Sequence, residues 1–284
     1  MPETGKRGPR LLSLAKGAAF YAILGLGSVV MLAPLVWMLS TASKSLAEAI
    51  SPGFRLLPGQ FLLWENVRTA FTRAPMGRYY LNSSLVASTV VVGRVLLCSL
   101  AGYSFAKYSY PGRNVLFTLV LSTMMIPFFV VVIPLYIVVY SLGWLNTYPA
   151  LIVPALVDGF GIFLMRQFMI GIHPEFIDAA RIDGASEVRV FWRIIMPLSQ
   201  PAIATLAIFT FMGSWDSYVW PLLVITKQDM MTIPLGLVVF NTQYVTFWNE
   251  LMAAALVGMS PTFLLFLVFQ RQFVQGMVLS GLKG

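Results

Sequence analysis

Six stretches of this chain are continuously apolar: Gly17 to Leu39, Tyr80 to Ala106, Val115 to Tyr140, Ala150 to Ile170, Ala202 to Ile225 and Leu251 to Phe269. Roughly 20 residues at a helical rise of 1.5 Å cross a bilayer's hydrocarbon core, so each stretch is long enough to span. Because the runs do not alternate apolar with polar, they suit helices, which satisfy their own amides in lipid, rather than barrel strands. The expected fold is therefore an all-α integral membrane protein with six transmembrane helices. Composition agrees: at 58% hydrophobic and 11% charged residues, 284 residues do not supply the polar surface of a soluble domain. The first run exceeds the apolar core of a cleaved signal peptide, so it is expected to remain as a span.

An even number of spans puts both termini on one side. Lys6, Arg7, Arg10, Lys16, Lys107, Arg113, Arg166, Arg181, Arg189, Arg193, Arg271 and Lys283 flank the spans on that side. Lys44, Arg55, Arg68, Arg73, Arg78 and Lys227 lie on the other. The excess predicts cytoplasmic termini. Scattered along the ends of apolar runs, the net charge of +8 describes membrane topology and not a nucleic-acid surface. The division expected is a cytoplasmic segment 1–16, a six-helix membrane domain 17–270 containing a loop at 171–200, and a cytoplasmic tail 271–284.

One cysteine, Cys98, and one histidine, His173, exclude an internal disulfide and a multi-histidine metal centre. None of the six lysines ends a phosphate-binding glycine loop, and no acid, base and nucleophile share a motif. No catalytic residue, metal site or cofactor is expected in this chain.

Prolines at 127, 134, 154, 221 and 261 predict kinks within the spans. Arg94, Asp158 and Asp216 fall inside apolar runs, where a charge costs about 2.5–3.5 kcal/mol at mid-membrane, with Arg166 nearer an interface. Asp216 beside Trp215 and Tyr218 combines an acceptor for hydroxyl groups with flat rings, a candidate substrate path; an outer aromatic belt is the alternative. Trp144 and Tyr148 are expected as interfacial anchors. Asn249 is expected to cap the sixth helix, with Glu250 in its first turn.

The loop between the fourth and fifth runs reads "FIDAARIDGASEVRVFWRIIMP", Phe176 to Pro197. Pro174 and Glu175 suit a helix start, Phe176, Ala179, Ala180 and Ile182 its buried face, and Gly184 its stop. Ser186 suits the cap of a second helix with Val188, Phe191, Trp192 and Ile195 as its apolar stripe, and Pro197 marks re-entry. The residues alone leave two readings open, a helix–turn–helix lying beneath the membrane or a solvated amphipathic loop at the headgroups.

"DAARIDGA" followed by "MP" resembles the EAA motif of ABC importer permeases of the carbohydrate-uptake family. Asp178 stands where that family has Glu, while Ala179, Ala180, Asp183, Gly184, Ala185 and Pro197 match. "LNSSLVASTVVVGRVLLCSLAGYSFAKYSYPGRN" (Leu81 to Asn114), "FMGSWDSYVWPLLVI" (Phe211 to Ile225) and "QRQFVQGMVLSGLKG" (Gln270 to Gly284) resemble further blocks of the family, in the same order. The single six-helix unit is similar to the MalG-like member of the permease pair. The resemblance implies a permease domain with a cytoplasmic coupling helix-turn-helix between helices 4 and 5, contacting the ATPase through these seven residues. It also implies a heterodimer with a second permease, two ATPase subunits carrying ATP and Mg, an extracytoplasmic binding protein and a carbohydrate substrate, all at a prokaryotic inner membrane. A secondary transporter moving a small polar solute on an ion gradient is the alternative; it calls for ionisable relays, which are few here.

Overall fold

The computed structural model describes residues 8–53 and 55–281, and the side chains of 17–53 and 55–270. In chain order the α-helices are α1 (Gly8–Ala42), α2 (Leu46–Ile50), α3 (Leu63–Arg73), α4 (Met76–Lys107), α5 (Arg113–Thr123), α6 (Phe128–Ser141), α7 (Tyr148–Ile152) and α8 (Gly159–Ile170). There follow α9 (Glu175–Ile182), α10 (Glu187–Val190), a π turn (Phe191–Ile195), α11 (Met196–Leu198), α12 (Gln200–Trp215), α13 (Val219–Val224), α14 (Ile233–Gly236) and α15 (Trp248–Gly281). No β-strand occurs among the described residues.

Three stretches are long and apolar enough to cross a membrane unaided: Gly17–Ala42, Met76–Lys107 and Trp248–Gln270. The third and fourth runs of the sequence are instead bent helix pairs, and a further bent pair joins the end of the loop 171–200 to the helix of the fifth run. α5 and α6 meet at 100°, Tyr148–Ala155 and α8 at 41°, and Glu187–Leu198 and α12 at 79°. The described chain thus holds three to six spans, depending on whether each bent pair crosses once. Two of the breaks have their cause in proline: Pro127 is the extended residue before α6, and Pro154 sits in the 3₁₀ turn after α7. By contrast Pro34, Pro134 and Pro261 are accommodated inside helices. The fifth apolar run breaks again after Trp215, and a separate short helix, α13, carries Val219–Val224.

The chain divides into two compact units, one running up to Thr72 and including Phe240–Val257, the other holding Arg73–Val239 with Gly258 onward. In the first unit, Asn66 donates through Nδ2 to the carbonyl oxygens of Ala42, which α1 leaves open at its end, and of Lys44 in the turn that follows, both at 2.8 Å. α2 is closed by a capping box between Ser45 and Glu48. Asn249 is not the expected cap. α15 already begins at Trp248, and the Asn249 amide donates instead to Asn66 Oδ1 at 2.7 Å.

The second unit is organised around α4, which packs along α8 and α12. Close approach is possible because the contact positions are small. A Cβ on Gly102 would stand 2.7 Å from Met165 Cβ and 2.9 Å from the Arg166 backbone nitrogen. One buried cluster joins Cys98 and Tyr103 of α4 to Met165 and Met169 of α8, and extends to Ile177, Val190, Phe191, Ile195 and Leu206. A second joins Val86 and Val90 to Val139, Leu151, Trp220 and Val224. Trp144 and Tyr148 pack against this second cluster, and the Tyr148 hydroxyl donates to Asn82 Oδ1 at 2.8 Å. Both rings are half-buried at the rim of this cluster.

At the C-terminal end α15 leaves helical dihedrals at Phe269 (φ −107°, ψ 15°) and then runs on to Gly281. Lys283 and Gly284 lie outside the described residues. α1 likewise begins at Gly8, ahead of the apolar run.

Candidate functional site

The loop at 171–200 folds as two short helices about a tight turn. α9 opens behind Pro174 and ends where Gly184 takes φ +77°, a left-handed conformation that favours glycine. The Ala185 N–H reaches back to the Ala180 carbonyl at 2.9 Å, and the Gly184 N–H to that of Arg181 at 3.0 Å, closing the helix end. Ser186 then caps α10, its Oγ accepting from the Arg189 N–H at 3.4 Å.

The faces of these helices differ from those expected. Ile177, which the sequence reading passed over, is the buried residue of α9, at 3% exposure; Phe176 and Ile182 are 55% and 86% exposed. In the second arm Phe191 and Ile195 are buried with Val190, while Val188 and Trp192 point outward. An α-helical wheel fails here because residues 191–195 form a π turn, in which the Met196 N–H bonds to the Phe191 carbonyl. Pro197, having no N–H, makes no α-type bond to the Arg193 carbonyl. Asp178, Ala179, Asp183, Gly184 and Pro197 are exposed, and Ala180 and Ala185 are half-buried. All seven EAA-like positions therefore lie in one loop, the three residues around the turn at its tip.

Charge ties this loop to α4. Glu187 accepts from Arg181 Nε at 2.8 Å, from the Tyr108 hydroxyl and, at 3.4 Å, from the Tyr103 hydroxyl. Arg181 also pairs with Asp178 at 3.6 Å. The Arg181 hydrogen bond, helped by that of Tyr108, holds the Glu187 carboxyl below the usual glutamate range. The Lys107 ammonium donates to the Ile172 carbonyl at the loop's entrance. Tyr103, Tyr108 and Glu187 escaped the sequence reading, because their contacts join positions 79 and 84 residues apart. Between α4 and α10 lies a cavity of about 680 Å³ bordered by these three residues, Leu100 and Trp192.

The candidate path residues separate. Trp215 is 3% exposed, stacked on Phe211 at 5.3 Å, with Tyr80 edge-on at 5.4 Å and its indole N–H donating to the Gly258 carbonyl at 2.9 Å. It offers no open ring face, which corrects its expected role as a stacking platform. Asp216 is exposed at the C-terminal end of α12. Tyr218 borders a second cavity of about 580 Å³, together with Arg94, Ser214, Ser217, Phe128 and Trp220. The two remaining intramembrane charges meet: Arg94 pairs with Asp158 at 3.1 Å and donates to the Ala155 carbonyl at 2.8 Å. Asp158 also caps α8, accepting from the Gly161 N–H at 2.8 Å.

Comparisons with known proteins follow the same outline. The family model for the binding-protein-dependent transport system inner membrane component matches residues 97–279. The arabinooligosaccharides transport system permease protein AraQ of Halalkalibacterium halodurans is 36% identical over 254 residues, 88% of this chain and 91% of that protein. The sn-glycerol-3-phosphate transport system permease protein UgpE of Escherichia coli O1:K1 is 34% identical over 266 residues, 91% of this chain and 94% of its own. Among solved structures, a bacterial ABC transporter involved in the import of the acidic polysaccharide alginate contains a chain of the same fold. Its TM-score is 0.79 at 20% identity, with 95% of this chain and 99% of that one covered. Helical spans, the loop and the length of these matches together show that the chain belongs to the family of inner membrane components of binding-protein-dependent transport systems.

Proposed function

We propose that this chain is the permease subunit of an ATP-driven importer that moves a carbohydrate from an extracytoplasmic binding protein to the cytoplasm. The observation that carries this reading is the loop α9–turn–α10, which presents Asp178, Ala179, Asp183 and Gly184 at an exposed tip while its inner face joins the core of α4 and α8. Such an element moves with the helices it is packed on, so a partner that displaces the tip displaces the spans. The substrate class is supported by the relatives, one named for arabinooligosaccharides and one for sn-glycerol-3-phosphate, and by the alginate importer that shares the fold.

In this reading α5 with α6, Tyr148–Ala155 with α8, and α12 with α13 are each one span, giving a permease domain at 17–270 with six spans. The termini and the loop at 171–200 face the cytoplasm, and residues 271–284 form a tail. A second permease completes a heterodimer, and two ATPase subunits supply ATP and Mg chemistry that this chain lacks. Asp178, Ala179, Ala180, Asp183, Gly184, Ala185 and Pro197 form the ATPase-coupling element. Asp216 and Tyr218 contribute to the substrate path, and Trp215 fixes the end of α12 beneath them.

The test is uptake of radiolabelled sugar by cells carrying Gly184→Asp, with the protein's membrane level measured in parallel. Loss of uptake at an unchanged level is expected, and retained uptake counts against the coupling role. Abolition by a protonophore with indifference to ATP depletion identifies a gradient-driven carrier instead.

A further inference from the structure

We infer that Glu187 is a positioning residue that keys the coupling loop to the cytoplasmic end of α4, an inference that rests on the importer reading above.

Both arms of the loop and one span converge on this carboxylate. Arg181, from the first arm, donates to Oε1 at 2.8 Å. Tyr108, the residue that ends α4, and Tyr103, one turn earlier, donate to Oε2. Arg181 reaches Asp178 as well, so the carboxylate joins an exposed residue of the tip to α4 through a single guanidinium.

The aromatic donors are held in place. Tyr103 is 5% exposed, with its ring 5.3 Å from that of Tyr108 and 5.5 Å from that of Phe191. Lys107 bonds the Ile172 carbonyl, so α4 grips the loop at its entrance as well as at the start of its second arm. Apolar packing of Ile177, Val190 and Phe191 holds the loop against the core without specifying its rotation. Hydrogen bonds to a charged acceptor are directional and fix that rotation. If the tip is displaced, α4 must then turn with it or this cluster must open.

The decisive measurement uses the complete transporter in proteoliposomes with its binding protein, scoring sugar uptake and ATP hydrolysis on the same preparation. Glu187→Gln is expected to lower uptake per ATP hydrolysed by about tenfold, the factor expected on losing a charge-assisted hydrogen bond. Tyr108→Phe, which deletes only a hydroxyl, is expected to act in the same direction by about threefold, and Glu187→Asp to restore part of the ratio. An unchanged ratio in both Glu187→Gln and Tyr108→Phe overturns the inference, as does a parallel fall of uptake and hydrolysis, which marks a purely structural role. If wild-type uptake proceeds without ATP hydrolysis, the importer reading itself fails.

Discussion

Arg94 and Asp158, 64 residues apart in the chain, meet as an ion pair at 3.1 Å, and Asp158 caps α8 with its other oxygen. One carboxylate therefore holds two helices. The two roles separate by substitution. Asp158→Asn keeps a capping side chain and loses the charge, whereas Asp158→Ala loses both. The alanine variant is expected to be less stable than the asparagine variant by about 1 kcal/mol, the usual worth of an N-cap. Thermal unfolding in detergent checks the order wild type, Asn, Ala.

The close crossing of α4 and α8 predicts a steric effect. Gly102→Val places new atoms against Met165 and the Arg166 backbone, and is expected to destabilise by about 1–3 kcal/mol. Gly213→Ala meets nothing within 4 Å inside α12 and is expected to be neutral or mildly stabilising. Melting temperatures of the two variants should move in opposite directions or differ by several degrees.

At Gly184 the backbone, not the space, is restrictive. Its φ is +77° and a Cβ there would touch nothing within 4 Å. Asparagine tolerates this conformation and a β-branched residue does not. Gly184→Asn is accordingly expected to retain more uptake than Gly184→Val at equal membrane abundance. Equal loss in both would mean that the side chain's presence, not the turn, is what matters.

Glu187 makes the loop sensitive to acid. Its carboxyl is held below the ordinary value of 4.5 by Arg181 and then by Tyr108, so folding stabilises the charged form. That stabilisation is fully present above 4.5 and is lost as pH falls through the depressed value. Hydrogen exchange of peptides covering 175–198 should remain protected through neutral and mildly acidic pH and loosen only below the usual glutamate range. In Glu187→Gln the acid step should be diminished.

Trp215 serves as a control for the substrate path. Trp215→Phe removes the indole N–H and leaves the Gly258 carbonyl without its partner, at a cost of about 1–3 kcal/mol. Stability is expected to fall while the KM for uptake stays near wild type. Tyr218→Ala, at the edge of the cavity, is expected to raise KM with little loss of stability.

The apolar runs revealed helices, because burial in lipid demands nothing more specific than length and greasiness. They did not reveal where a run folds back on itself. The bend before Pro127 had a visible agent, and Pro197 marked the neighbourhood of the 79° turn at Ser199, but the π turn at 191–195 makes bonds that a periodicity of 3.6 does not anticipate. The left-handed Gly184 was legible for a local reason, since a stop between two capped helices is written within a few residues. The outward faces of Phe176, Ile182 and Trp192 were not, since they follow from where α4 and α8 lie. Arg94 and Asp158 stood out singly as costly charges, and only the packing of distant helices showed that each compensates the other.

α1 has a different kind of freedom. The most apolar window of Gly17–Ala42 has none of its residues buried inside the chain, whereas the corresponding figure for α4 is 33%. A helix whose side chains stay this open along that window is stabilised as soon as it leaves water, before any tertiary contact exists. Its place in the bilayer is thus decided during biosynthesis by hydropathy alone, and exchanges among leucine, isoleucine, valine and phenylalanine along it should leave the rest of the subunit's folding untouched.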